Sequence, residues 1–206
     1  MKCLKKVEKE YIEVYGDIPK NDDERLGVLI KNTKFTNASR NEIFPLINKI
    51  LNMKWKRVDL VIYLLPKATP RPRHNFKMNI FYVSGAKDNR DIFRKFLSKT
   101  DLEMITTACK FTCISYLPIP KSMSSIEKII AEMGLIRPIT KPDWDNLGKT
   151  YSDMIQEYLL FDDSLIIDGT SKKFYSSKPR IEIHIEYMDG YDCHYNEKLI
   201  RKKVNK

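Results

Sequence analysis

The chain has 206 residues, a formal net charge of +10 and 42% hydrophobic residues. This length allows one domain with an appendage or two small domains, and the apolar content can supply a sizeable core. The excess of lysine and arginine favours a polyanionic partner, nucleic acid before membrane. No apolar run approaches the ~20 residues that a membrane span requires, and the N-terminal sequence lacks a signal-peptide core, so we expect no membrane association and a cytoplasmic protein.

The cysteines and histidines carry no recognisable chemistry. Four cysteines form neither a CxxC pair nor a zinc-binding pattern, which favours buried or tolerated thiols in a reducing compartment. His74 lies in a basic segment and His184 alternates along a predicted strand. Neither position supports a His–Cys or His–Ser catalytic arrangement.

Residues 1–54 show helical periodicity. Val7 and Tyr11 mark one apolar stripe, and further stripes follow around Val28 and Ile47. The three short amphipathic helices predict an appended module or a dimer-packing element. Direct DNA contact is the weaker alternative, and the sequence does not decide between them.

Residues 58–64 alternate in polarity as a strand does, and a stretch containing three prolines, residues 66–74, follows. Three prolines predict a stiff loop without regular structure. Its basic residues are Lys67, Arg71 and Arg73. Since the arginine fork can make two hydrogen bonds to one phosphate, we expect this loop to contact DNA, the alternative being an exposed basic loop without a partner.

The next segment predicts a β-strand, a helix, a second strand and a second helix. The strands are expected at residues 78–83 and 111–117, and the first helix at residues 88–98. Ser122 or Ser124 would cap the second helix, which would run to Met133 and stop at Gly134.

An acidic motif, residues 141–149 (KPDWDNLGK), is followed shortly by Asp162 and Asp163. Pro142 disfavours helix just before it, so Asp143 should be extended and Asp145 should cap a helix of about fourteen residues. Asp145, Lys149 and Asp153 would lie along one side of that helix. Such a helix is roughly 20 Å long, so its two acidic ends can share a site only if the chain folds back or a strand lies alongside.

After the second acidic pair, residues 164–175 predict a bent or broken strand with a bulge at Gly169. Residues 180–187 alternate cleanly and predict the final strand. The basic tail, residues 191–206, would assist DNA binding electrostatically.

Carboxylates beside a lysine in a strongly basic chain are the composition expected of a metal-dependent nuclease. Hard cations such as Mg²⁺ take oxygen ligands and keep several waters, so two or three carboxylates suffice. The competing interpretation is that Asp143 and Asp145 merely cap a helix while Asp162 and Asp163 form a turn.

The pattern Lys-Pro-Asp-x-Asp-Asn-Leu-x-Lys, followed by Asp153, Asp162, Asp163 and Lys173, resembles the RusA family of Holliday-junction resolvases, which is typical of prophages. The resemblance covers roughly residues 57–188. It implies a homodimeric, Mg²⁺-dependent crossover junction endonuclease of DNA recombination and repair that cuts four-way junctions symmetrically, with Mn²⁺ as a substitute cation. Matched to the family, the catalytic residues are Asp143, Asp145, Lys149 and Asp163.

These observations predict an α+β fold. A mixed or mainly antiparallel sheet of four or five strands would pack against helices over residues 55–190, with a helical extension at residues 1–54. Asp143, Asp145 and Asp163 would bind Mg²⁺. The predicted DNA-binding residues are Lys67, Arg71, Arg73, Lys141 and Lys173. The alternative functions are a non-catalytic basic DNA-binding module and a Mg²⁺-dependent nuclease of flaps or forks.

Overall fold

A computed structural model describes residues 48–69, 73–75, 80–82, 89–156 and 158–188, together with positions 12–14, 20–21, 24 and 45. The chain divides into two compact units, Met1–Asn52 and Met53–Lys206. Most of the predicted N-terminal helices and the whole predicted basic tail lie outside the described residues. The domain boundaries at residues 54 and 190 therefore stay predictions.

The second unit contains, in its described part, six β-strands and three α-helices. The strands are β1 (Trp55–Ile62), β2 (Arg73–Asn75), β3 (Ile80–Tyr82), β4 (Cys109–Pro118), β5 (Ile166–Ser176) and β6 (Arg180–Met188). The helices are α1 (Arg90–Leu97), α2 (Ser125–Glu132) and α3 (Trp144–Ile155), and a 3₁₀ turn spans Asp163–Leu165. Within the described residues, none of these helices has the length and apolar character needed to cross a membrane.

Four strands form a mixed sheet in the order β1-β6-β4-β5. Strand β6 pairs antiparallel with both β1 and β4, whereas β4 and β5 are parallel. The predicted α+β class with a four-stranded mixed sheet is confirmed. The parallel pair places β5 at one edge of the sheet, and the connection from β4 to β5 carries α2 and α3.

Alternation along the central strands builds the core. On β6, Ile181, Ile183 and Ile185 are fully buried, and they share one hydrophobic cluster with residues of α1 and α3. Cys109 and Cys113 of β4 belong to the same cluster, and burial raises their thiol pKa values to about 11 and about 12. These two cysteines are therefore neutral apolar residues of the core, as expected.

Helix α2 begins and ends where the sequence predicts. The Ser124 hydroxyl accepts a hydrogen bond from the Glu127 amide, and the Glu127 carboxylate accepts one from the Ser124 amide, which forms a capping box. The helix stops before Gly134, whose φ of 78° lies in the left-handed region that glycine adopts without strain.

Three local expectations were wrong. Residues 73 and 74 belong to β2, because the predicted loop has no proline after Pro72 and the backbone can pair with β3 in a separate two-stranded sheet. Helix α3 starts at Trp144 with Asp143 as its N-cap, since Pro142 restricts only the residue before it. The predicted bulge at Gly169 lies instead at Ile167, which is the extra residue between the partners of Cys109 and Lys110.

Helix α3 packs directly on β5, and Gly148 permits this close approach. A Cβ atom at position 148 would lie 3.1 Å from Cβ of Ser171, closer than ordinary van der Waals contact. Ser171 is itself held by a 2.7 Å hydrogen bond from its hydroxyl to the carbonyl of Trp144. The strand and the start of the acidic helix are therefore fastened together at this point.

We expect Gly148→Ala to destabilise the protein, although alanine is favoured over glycine in a helix by about 1 kcal/mol. The added methyl must displace Ser171 or push α3 from β5. Urea unfolding of Gly148→Ala, Ser171→Gly and the double variant should give a coupling of about 0.5–3 kcal/mol, with the alanine better tolerated opposite glycine. Additive effects would show that the two positions do not compete for space.

Candidate active site

The first acidic pair stands at the exposed start of α3. Asp143 occupies the N-cap position with extended backbone (φ −68°, ψ 146°), yet its side chain accepts no capping hydrogen bond. Asp145 lies in the first turn, and both residues are exposed. Helix capping therefore does not account for the carboxylate of Asp143.

The chain folds back after α3 and returns the second acidic pair to the helix. The amide of Ile105 donates to the carbonyl of Leu159 (2.8 Å), and the amide of Phe161 donates to the carbonyl of Ile105 (3.1 Å). Leu159 and Leu160 are buried between these bonds. The reversal brings Asp163 beside Lys149, as a site shared by the two acidic pairs requires.

Lys149 lies between two carboxylates. Its ammonium is 3.1 Å from Oδ1 of Asp153, one helical turn on, and 3.6 Å from Oδ2 of Asp163. The hydrogen bond with Asp153 is the largest cause, and the charge of Asp163 a smaller one, of a raised Lys149 pKa. The ion pairs are thus intact at neutral pH, and their contribution is lost only as pH rises through the folded-state pKa of the amine.

Asp162 and Asp163 have different surroundings. Oδ1 of Asp162 accepts a hydrogen bond of 3.0 Å from the amide of Ser164 and caps the 3₁₀ turn. Asp163 instead faces Lys149. The turn-forming role that the sequence allowed for both residues applies to Asp162.

The donor chemistry of the motif fits Mg²⁺, because Asp143, Asp145 and Asp163 all offer hard carboxylate oxygens. Across the residues that the structure describes, no group of three histidine, cysteine or acidic side chains converges on one point. At Asp163 the positive charge is supplied by Lys149. The three-carboxylate Mg²⁺ site remains a prediction.

Lys173, predicted to contact DNA, is engaged by the backbone of the acidic motif. Its ammonium donates to the carbonyls of Thr140 and Pro142, each at 2.9 Å. The guanidinium of Arg137 in turn donates to the carbonyl of Lys173 at 2.7 Å. These bonds hold the segment leading into Asp143 against β5.

The buried side of α3 holds the start of the proline-rich segment. The Tyr151 hydroxyl accepts from the amide of Lys67 (3.0 Å) and donates to its carbonyl (3.1 Å). The Thr150 hydroxyl accepts from the backbone amide of Thr69 (2.8 Å), and the side-chain amide of Asn146 donates to the Thr69 carbonyl (3.3 Å). This role was not predicted from the sequence, where its signal was the presence of polar groups in an otherwise apolar helical stripe.

The other predicted DNA-binding residues are only partly placed. Lys67 and Lys141 are exposed. The backbone of Arg73 belongs to β2, and Arg71 lies outside the described residues. DNA contact by these residues remains a prediction.

Residues 64–186, more than half of the chain, match the family described as endodeoxyribonuclease RusA. The chain belongs to this family. The resemblance read from the acidic motif is confirmed, and nucleases of the RusA family are generally dependent on a divalent metal. The match includes all four predicted catalytic residues and leaves residues 1–63 outside.

The chain is also similar to an uncharacterized protein, YqaN, of Bacillus subtilis (strain 168). The two are 31% identical over 135 residues, which cover 62% of this chain and 94% of YqaN. The similarity therefore extends over nearly the whole of that protein.

The two hydrogen bonds between the Tyr151 hydroxyl and the backbone of Lys67 predict that Tyr151→Phe lowers the stability of the protein. Removing the hydroxyl leaves two backbone groups of Lys67 without their partner, which should cost about 1–3 kcal/mol of unfolding free energy. Urea unfolding measures the change. Tyr158→Phe is the matched control, because within the described residues no hydrogen bond is found at that hydroxyl. Equal loss of stability in both variants would contradict a stabilising role of the two Tyr151 hydrogen bonds.

Lys173→Met separates positioning from DNA contact. Loss of two charge-assisted hydrogen bonds should reduce the unfolding free energy by about 1–2 kcal/mol, whereas Lys172→Met at the exposed neighbouring position should change it by less than about 0.5 kcal/mol. If Lys173 positions the motif, the salt dependence of DNA binding stays unchanged. A salt slope shallower by about one at unchanged stability would instead assign Lys173 to phosphate contact.

Proposed function

We propose that this RusA-family chain is a Mg²⁺-dependent endonuclease that acts as a homodimer and resolves four-way DNA junctions by paired symmetric nicks. The observation that carries the proposal is the approach of Asp163 to Lys149, since it brings the second acidic pair back to the helix that begins at the first. A capping role alone gives no reason for this reversal.

Asp143, Asp145 and Asp163 would hold the metal. Bound Mg²⁺ supplies a Lewis acid that polarises a phosphate oxygen and lowers the pKa of a bound water. Crowded carboxylates repel one another unless a cation or proton offsets them. Asp163 already faces a cation, the Lys149 ammonium, which supports a role for this carboxylate in binding positive charge.

Lys149 is suited to a phosphate group. Its side chain is 64% exposed, and its raised pKa keeps it protonated at neutral pH. In this proposal the ammonium donates to a non-bridging phosphate oxygen and offsets the charge that develops there. Surface ion pairs contribute only about 0–1 kcal/mol, so leaving Asp153 for the phosphate costs little.

Binding of the surrounding DNA is proposed for the basic residues near α3. Lys67 is held at a defined distance from the acidic helix because Tyr151 binds its backbone. Lys141 is exposed directly before the motif. The two-fold symmetry of a four-way junction suits a C₂ dimer in which each subunit presents one site.

The first test compares cleavage of a labelled four-way junction and a linear duplex of the same sequence, in Mg²⁺ and in EDTA. We expect paired nicks at the junction in Mg²⁺ alone. Equal cleavage of both substrates would leave a nuclease without preference for junctions. Binding without cleavage under any divalent ion would favour the non-catalytic module.

The adjacent pair Asp162 and Asp163 supplies a matched test of the site. We expect Asp163→Asn to lower the cleavage rate by at least about 100-fold, since even outer-shell substitutions at metal sites typically cost 10–100-fold. Asp162→Asn removes the same charge but retains an oxygen that can accept from Ser164, so it should remain within a few-fold of the original chain. Equal losses in both variants would contradict a distinct role for Asp163.

A further inference from the structure

Trp144 belongs to the acidic motif, and its large aromatic side chain is mostly exposed to solvent. Its side chain is 61% exposed, although its backbone is anchored to β5 through the Ser171 hydroxyl. Tryptophan is highly buried on average in folded proteins. The second tryptophan, Trp55, differs, because Lys110 covers its ring at 4.6 Å. The exposure of Trp144 has no explanation in the packing of α3.

Trp144 lines an open cleft of about 240 Å³. The residues that line it include aromatic and aliphatic residues, glycines, residues with hydroxyl groups, and one acidic and one basic residue of the acidic motif. The lining residues are Phe111, Trp144, Asp145, Gly148, Lys149, Ser152, Ile166, Gly169, Thr170 and Ser171. The volume is below the ~300–1,000 Å³ of pockets for drug-sized ligands, so it suits a single flat ring system.

Gly169 gives a second, independent indication that a ligand approaches here. Glycine inside a strand weakens it, and it often marks a place where a ligand or another backbone comes close. Among the described residues and apart from its chain neighbours, a Cβ atom at position 169 would come within 4 Å of Ile166 alone, at an ordinary 3.6 Å, so packing there does not require glycine. The missing side chain instead leaves the wall of the cleft open.

We propose that this cleft, with the Trp144 ring as one wall, is a subsite for one unstacked nucleobase of the DNA substrate; this inference rests on the proposed function. Every base has an aromatic face, so stacking on tryptophan binds bases with little sequence preference. Asp145 and Lys149 line the same cleft, which places the base next to the proposed reacting phosphate.

The charge of the site favours a base over a protein partner. The chain carries a net charge of +10, and the basic residue Lys149 is among those that line the cleft. A nucleotide supplies both a flat apolar ring and an adjacent anion, which match the aromatic wall and the lysine. At the crossover of a four-way junction, the subsite would hold a base that has left the stack.

The test is fluorescence of Trp144 in a full-length Trp55→Phe protein, where it is the single remaining tryptophan. In EDTA, addition of a four-way junction should quench Trp144. A junction with abasic sites at its crossover nucleotides should bind with much less quenching. Equal quenching by both junctions, or none by either, would overturn the subsite.

Affinity provides a second measurement. Trp144→Ala should weaken junction binding in EDTA by about 5- to 150-fold, whereas Trp144→Phe retains most of the affinity. Gly169→Leu, which fills the cleft without changing the ring, should reproduce the loss. The abasic junction should bind the original chain and Trp144→Ala equally. Unchanged affinity in Trp144→Ala would overturn the proposal.

The outcomes separate this inference from the proposed function. If Trp144→Ala binds and cuts junctions normally, the subsite is wrong and the nuclease stands. If the unaltered chain neither binds nor cuts junctions in Mg²⁺, the proposed function itself fails. A change of oligomeric state in Trp144→Ala would assign this face to a second copy of the chain and overturn the subsite.

Discussion

The close contact between α3 and β5 is the constraint on which the site depends. Because Gly148 has no side chain, the helix lies near enough for the Ser171 hydroxyl to reach the carbonyl of Trp144. Lys173, two residues further along β5, binds the carbonyls that precede Asp143. The same strand begins three residues after Asp163. One strand therefore positions both acidic pairs, although their nearest members, Asp145 and Asp162, are seventeen positions apart in the sequence.

The electrostatics of the site depend on Lys149, which already forms ion pairs with two carboxylates. Lys149 contacts Asp153 and Asp163 with its side chain mostly exposed, so solvent weakens both interactions. Such pairs hold a carboxylate in place without burying it. Since the free energy of each pair is small, exchanging the carboxylate for another anion, or the ammonium for another cation, would require no large reorganisation. A buried pair in the same place would resist that exchange.

Much of the fold follows from local patterns. Alternation identified β1 and β6, and a capping serine with a following glycine delimited α2, since these signals depend on neighbouring residues only. The start of α3 was misplaced by two residues because Asp143 and Asp145 are equally good capping residues. The bulge at Ile167 depends on the register between β4 and β5, which no local pattern encodes. Sequence alone favoured Gly169 for its residue type.

At the site, as in the fold, the important residue types could be predicted from the sequence, whereas their interaction partners could not. The acidic residues and Lys149 could be proposed from spacing, and the reversal that brings Asp163 to the helix was recognised as a requirement. The backbone partners of Tyr151 and Lys173 could not be predicted, because any amide or carbonyl in the chain is an equally suitable partner. Those side chains decide where the start of the proline-rich segment and the residues before Asp143 lie. In this protein, the residue types that predict chemistry are thus distinct from the contacts that position it.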